Sequence, residues 1–125
     1  MQDKELNKRN FFGYGDTKPK INWPGNKKIA LSIVVNIEEG AELSVNSGDS
    51  TNEYIYENNK IKLENNLPDL CMESHFEYGL RSGFWRIIHL LDEYKLPVTF
   101  SCCSQALEKS PWLIKEILNR GHEIS

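Results

Sequence analysis

The pattern of apolar and polar positions predicts alternating strands and helices from residue 29 onward. Residues 29–35 form an almost unbroken apolar run rich in β-branched side chains, which is typical of a strand buried on both faces. Residues 84–94 carry apolar side chains every three or four positions, which predicts a helix with Ser82 as its N-cap. Residues 98–103 begin with β-branched and aromatic side chains and are too few for a helix, so they predict a second strand. The apolar face of the helix would consist of Phe84, Ile87, Ile88, Leu91 and Tyr94.

A second helix has clear signals at both ends. Ser110 is its expected N-cap, Pro111 takes the first helical position, and Gly121 ends it. Residues 122–125 then begin another extended segment. The order strand, helix, strand, helix, strand predicts parallel βαβ units and therefore the α/β fold class. The expected core face of the second helix is Ile114, Ile117 and Leu118.

Two other stretches show no clear period. Residues 1–26 hold aromatic side chains among glycines, prolines and lysines, which predicts an irregular arm or a partly disordered terminus ahead of a domain at residues 27–125. Residues 44–69 are polar and rich in asparagine, and a short strand or a hairpin near Tyr54–Leu63 is the most structure we expect there.

Composition and charge exclude several classes of protein. The 125 residues carry a net charge of −3 with acids and bases interspersed. This pattern contains no basic patch of the kind that binds nucleic acid or a membrane surface. The start of the chain is charged and lacks the apolar stretch of a signal peptide, and no run is long enough to span a membrane. Three cysteines without metal-type spacing, Cys71, Cys102 and Cys103, predict small buried or half-buried thiols. We therefore expect a cytoplasmic protein.

The first strand ends in two adjacent carboxylates, Glu38 and Glu39, followed by Gly40. Ligands of α/β proteins gather at the carboxyl ends of parallel strands, so this pair is a candidate site. Hydrolysis of an amide needs a base for water and an acid for the leaving nitrogen, and two neighbouring carboxylates can share these tasks. The alternative is a strand end whose acids only face water.

Four blocks of sequence carry a resemblance to a known family. They are NIEEGAE at 36–42, ESHFEYGLRSGFWR at 73–86, LPVTF at 96–100 and GHEIS at 121–125. Together, and in this order, they resemble the N-terminal part of the polysaccharide deacetylase (NodB-homology) family. Within that family they are most similar to the branch that contains the metal-independent allantoinases.

The resemblance implies a distorted (β/α) barrel that hydrolyses C–N bonds in a small ureide or an N-acetylated glycan. Such a barrel typically needs about 250 residues, so the chain is expected to be a truncated barrel, inactive or nearly so by itself. Its expected partner is the remainder of the barrel or a second copy of the chain. In the match to the family, Glu38 takes the position of the general base and Glu39 that of a metal ligand.

The resemblance also bears on metals and on substrate binding. Some family members bind zinc through two histidines of a later motif, which these residues do not supply, so we expect no metal and no cofactor. His75, His89 and His122 are expected to be structural. Arg81, Glu73 and Glu77 are candidate substrate-binding residues, and an Arg–Glu pair that ties the helix entry together is the alternative. Trp85 and Tyr78 are assigned to packing.

A function of another class stays open at this point. The same strand-end crevice would suit a non-catalytic α/β module that binds a partner subunit or a small ligand. Hydrolysis of allantoin or of an N-acetylated sugar would distinguish the enzyme from the binding module.

Overall fold

The structure, a computed structural model, describes residues 11–55 and 67–125 and divides the chain into two compact units, one up to Leu31 and one from Ser32 onward. The first unit contains the short 3₁₀ turn Pro24–Asn26, and its Tyr14 is exposed. Residues 1–10 of the expected arm lie outside the described residues. So does most of the expected hairpin, of which only Tyr54 and Ile55 are described.

The second unit is built on a parallel sheet of three strands in the order β1-β2-β3. Its strands are β1 (Val34–Ile37), β2 (Thr99–Cys102) and β3 (Glu123–Ile124). In the register of the sheet, Val35 lies opposite Phe100, which in turn lies opposite Ile124. Helices connect the strands, so the predicted α/β class with parallel βαβ units is confirmed.

The predicted bounds of the first strand are wrong. Pairing begins where the Thr99 N–H donates to the Ile33 carbonyl at 3.1 Å, and the strand then runs to Ile37. Upstream of it, Ile29 and Leu31 are 79% and 81% exposed rather than buried on two faces. The apolar run alone cannot set the strand, because hydrogen bonds from β2 decide which residues are extended and paired.

The first predicted helix begins at Leu70 rather than near Phe84, about four helical turns earlier than expected. It consists of α1 (Leu70–Tyr78), a π turn at Gly79–Gly83 and α2 (Phe84–Tyr94). Ser82 therefore lies inside the helix and is not its N-cap. That role belongs to Asp69, whose carboxylate accepts a hydrogen bond from the Met72 N–H at 3.0 Å.

Two shorter helices follow β2. The first, α3 (Ser104–Lys109), was not predicted. The second is α4 (Trp112–Asn119), whose N-cap is Pro111, so the predicted N-cap at Ser110 is wrong by one residue. The Ser110 carbonyl accepts from the Leu113 N–H at 3.1 Å. Its predicted end is confirmed, because Gly121 takes a left-handed conformation with φ of 78° that favours glycine.

The core lies between the sheet and α2, α3 and α4. The predicted faces were partly wrong: Leu113 is buried, whereas between 38% and 63% of the surface is exposed at Ile87, Tyr94, Ile114 and Leu118. The cysteine prediction was also wrong for Cys71 and Cys103, which are exposed, while Cys102 is half-buried. Among the described helices, none is long and apolar enough to cross a membrane. The buried apolar side chains are Ile37, Phe84, Ile88, Leu91, Val98, Phe100, Ala106, Leu113 and Ile117.

Candidate functional site

The acidic pair lies where the sequence places it, at the carboxyl end of β1. Glu38 is exposed and Glu39 is half-buried, and the Glu38 N–H donates to the Glu39 carboxylate at 3.1 Å. The chain turns immediately afterwards, with Gly40 at φ of 96° and the Ala41 N–H bonded to the Glu38 carbonyl at 2.9 Å. In an uninterrupted strand, adjacent side chains would point to opposite faces of the sheet. Here the chain turns instead, and the two carboxylates differ in exposure.

Two cavities of about 590 Å³ each meet at this strand end. Glu39 and Phe76 line both cavities, so they form part of the wall between them. Glu38 lines only the second cavity, together with Cys103 at the end of β2. The first cavity is bordered by α1, the π turn and the start of α4, and we call it the helix-side cavity.

The helix-side cavity contains all three of the predicted substrate-binding residues. Glu73, Glu77 and Arg81 line it together with Glu39, but Glu38 does not. The structure therefore brings Glu39 together with the predicted binding residues in one cavity. Glu38, the other predicted catalytic carboxylate, lines the second cavity.

Glu73 ties the loop after β1 to the first helix. Its carboxylate accepts from the Ser44 hydroxyl at 2.7 Å and from the Asn46 amide at 3.5 Å. Glu73 is half-buried, so these contacts fix the cavity wall at the point where the loop crosses α1.

Arg81 forms an ion pair with Glu77, from its Nε to the carboxylate at 3.0 Å, one helical turn apart. Both side chains are more than half exposed, so the pair contributes little to stability. A guanidinium carries five N–H donors, and this contact uses the one on Nε. The remaining donors leave Arg81 able to bind a carbonyl or oxyanion.

Gly79 provides the close approach between the helix and the strand end. A methyl group on this residue would lie 2.7 Å from Glu39 Cγ and closer still to the carboxylate, so the Glu39 side chain rests directly on the helix backbone. Gly79 is the first residue of the π turn, a local widening that is frequent at functional sites. Sequence reasoning placed Gly79 in a family block without finding this contact.

Two tryptophans form an aromatic wall that the sequence prediction missed. Trp85 and Trp112 line the helix-side cavity, and their rings are stacked with centroids 5.4 Å apart and planes 5° apart. Trp85 packs against the core, as predicted, but its place in a cavity wall was not predicted. The Pro111-Trp112 start of a helix was the only signal for the other ring, and it does not by itself indicate a cavity.

The histidines do not assemble a metal site in the described part of the chain. His122 is buried, contacts the Phe100 ring at 5.5 Å, and has no hydrogen-bond partner at either ring nitrogen among the described residues. His89 lies beside Trp85 on the outside of α2. Within residues 11–55 and 67–125, no three His, Cys, Asp or Glu side chains are placed to hold a metal ion. The described residues therefore do not fit the zinc that some family members use.

Two side chains near the site have shifted pKa values. The hydrogen bond from Arg86 to the Tyr78 hydroxyl, 2.7 Å long, lowers the pKa of that phenol, with Ser82 adding to the effect. Burial raises the pKa of the Cys102 thiol, and the neighbouring Cys103 raises it further. Both shifts follow from the local surroundings, and neither group lines either of the two cavities described above.

Comparison with known proteins supports the family predicted from the sequence. Residues 64–125 match the polysaccharide deacetylase family. A putative polysaccharide deacetylase of Schizosaccharomyces pombe is 40% identical over 111 residues, which is 87% of this chain and 34% of that protein. Glu38 and Glu39 lie outside the family match and directly follow β1, which pairs with β2 inside the match.

Two crystal structures superpose on this chain with a TM-score of 0.78 and 36% identity. They are a PuuE allantoinase and a probable polysaccharide deacetylase from Pseudomonas aeruginosa PAO1. Each match covers 93% of this chain and 39% of the solved one, so the chain spans well under half the length of these relatives. The fold is thus part of the deacetylase and allantoinase fold, as predicted. Through residues 64–125, the chain belongs to the polysaccharide deacetylase family.

Proposed function

We propose that this chain is part of a hydrolase that acts on C–N bonds other than peptide bonds, in a cyclic ureide or an N-acetylated glycan. The observation that carries the proposal is the position of Glu39, at the end of a parallel strand and on the wall common to both cavities. The similarity to an allantoinase and to polysaccharide deacetylases supports it.

The proposed chemistry uses the two carboxylates at the strand end. Glu38 accepts a proton from the attacking water and returns it to the leaving nitrogen, which is the work of a general base followed by a general acid. Glu39 contacts the substrate from the wall between the cavities and accepts hydrogen bonds from its N–H groups. Arg81 donates to the oxyanion through guanidinium hydrogens that its bond to Glu77 leaves available.

The residues of this chain are expected to give weak turnover, because the chain spans 34–39% of the length of its relatives. Its three cysteines are free thiols, which is typical of a reducing compartment, and we propose a cytoplasmic location.

Hydrolysis assays on the purified chain test this function. Allantoin and N-acetylated chitooligosaccharide are the substrates, and Glu38→Gln and Glu39→Gln are the variants. Each substitution is expected to lower turnover at least about a hundredfold, which is the usual contribution of a general base. Glu93→Gln is the matched control, because Glu93 is exposed on α2 and lines neither cavity.

The outcomes separate the enzyme from the binding module. The hydrolase is supported if Glu38→Gln and Glu39→Gln both lose turnover while the control Glu93→Gln retains it. Turnover that is equal in all three variants contradicts the assignment of the carboxylates. Ligand binding without any turnover of either substrate favours the non-catalytic module.

A further inference from the structure

The aromatic wall of the helix-side cavity has no part in the proposed proton transfers. Trp85 and Trp112 stack face to face, and Trp112 keeps 37% of its surface exposed. Stacked indoles at a cavity wall offer a flat apolar surface, which binds the face of a ring and attracts a cation placed over it.

Phe84 fixes this wall to the core. Its ring meets Trp85 edge-on at 5.3 Å and Trp112 edge-on at 5.4 Å. Phe84 is itself 3% exposed and contacts the fully buried Phe100 at 6.0 Å. The indoles are therefore held in place before a ligand arrives, so ordering them adds little to the cost of binding.

The remaining walls of the cavity are negatively charged. Among the described residues that line it, six are acids and two, Arg81 and Lys109, are bases. Neutral groups hold several of the carboxylates: the Ser44 hydroxyl binds Glu73, and the Met72 N–H binds Asp69. Such donors stabilise a carboxylate without cancelling its charge, so the cavity keeps an excess of negative charge.

We propose that the helix-side cavity binds a ring-shaped ligand that is neutral or cationic, with one face on the Trp85–Trp112 wall, and that it excludes anionic ligands. This inference rests on the proposed function for the identity of the site. When the substrate is an N-acetylated glycan, hydrolysis by water breaks the C–N bond of its acetamide group and yields a sugar that carries an ammonium and a separate acetate. The cavity then retains the ammonium product and repels the carboxylate product.

Three sugars with the same pyranose ring test the charge preference. They are glucosamine, which carries an ammonium, N-acetylglucosamine, which is neutral, and glucuronate, which is an anion. Binding to the full chain is followed by tryptophan fluorescence in a Trp23→Phe background, so that only the two wall residues emit. Glucosamine is expected to bind about tenfold more tightly than glucuronate at low salt, and the ratio is expected to shrink as salt screens the charges.

A pair of variants tests the wall itself. Trp85→Leu removes the ring and is expected to weaken binding of glucosamine and N-acetylglucosamine alike by about tenfold, the effect of losing a stacked ring. Trp85→Phe retains an aromatic face and is expected to restore most of the affinity. If Trp85→Leu fails to fold, the charge series on the unaltered wall still decides the proposal.

Equal binding of glucosamine and glucuronate would overturn the inference, and so would equal affinity in Trp85→Leu and Trp85→Phe. The readout is binding and not turnover, so it is independent of the hydrolase assay. A charge preference without hydrolysis would support the ligand preference of the helix-side cavity and contradict the catalytic role of the carboxylates. Hydrolysis without a charge preference would support the catalytic role and contradict the ligand preference.

Discussion

The side chain of Glu39 rests directly on Gly79, so that a methyl group there would overlap the carboxylate. Gly79 has ordinary right-handed helical torsion angles, and glycine is needed at this position for space rather than for conformation. The contact joins the end of β1 to the π turn between α1 and α2. Glu39 therefore has a defined position on the wall between the two cavities.

The contact is local and involves the flexible end of a glutamate. A larger residue at position 79 displaces the carboxylate by rotation of its side chain, without moving the sheet or the helix. Function at this point can therefore change while the fold is kept.

The first prediction concerns the core. Ile88→Ala is expected to lower the free energy of unfolding by about 2–5 kcal/mol, because Ile88 is fully buried and its removal leaves a cavity. Ile87→Ala, the adjacent residue on α2 with 41% of its surface exposed, is expected to cost less than about 1 kcal/mol. Urea unfolding of both variants measures the difference. Equal losses would show that the helix faces the core differently.

The second prediction concerns the two adjacent cysteines at the end of β2. Burial raises the pKa of the Cys102 thiol, and only the thiolate reacts with alkylating reagents. At mildly alkaline pH, Cys102 is expected to be alkylated about tenfold more slowly than the exposed Cys103, and its rate keeps rising at higher pH. Peptide mapping after timed labelling distinguishes the two positions in a Cys71→Ser background. Faster labelling of Cys102 would contradict this burial.

The third prediction concerns Tyr78. Its hydrogen bond from Arg86 favours the phenolate and lowers the pKa of the phenol. The stabilisation that accompanies ionisation is therefore present above the ordinary pKa of tyrosine, about 10, and is lost as the pH falls through the lower folded-state pKa. At neutral pH it contributes nothing.

Near-ultraviolet titration of the phenols measures this shift. Tyr78→Phe is expected to remove the phenol that ionises at the lower pH, and Arg86→Gln is expected to move its titration up. Arg81→Gln serves as the control, because Arg81 pairs with Glu77 instead. An unchanged titration in Arg86→Gln would mean that the hydrogen bond is absent in solution.

Periodicity predicted the kinds and the order of the main elements, but not their limits. The helix α2, over residues 84–94, was predicted from its apolar spacing. The helix α1 that precedes it, Leu70–Tyr78, is only weakly amphipathic and has no buried residue, so the spacing did not indicate it. Asp69 was available as a cap, since aspartate before a helix is a common start signal, but Ser82 lies directly before the periodic apolar residues and was chosen instead.

The sequence identified two separate parts of the candidate site, the acidic pair after the first strand and the residues Glu73, Glu77 and Arg81 in one family block, but not how they pack together. The adjacent Glu38 and Glu39 follow one strand and needed no tertiary information. The tryptophan wall and the contact with Gly79 depend on helix packing, since they join residues far apart in the chain. No pattern along the sequence reports that a glycine is required for space, or that Trp112 stacks on Trp85.

The most direct test of the account compares Gly79→Ala with Gly83→Ala in the hydrolysis assay. Both glycines lie in the π turn, but a methyl group at position 83 would meet nothing closer than 3.7 Å. We predict that Gly79→Ala lowers turnover at least about tenfold, because displacing a catalytic group by about 1 Å has effects of this order or larger. Its stability should change by less than about 1 kcal/mol, because alanine favours the helix while the carboxylate rotates away. Gly83→Ala should retain full turnover, and equal turnover in the two variants would contradict the placement of Glu39 in the site.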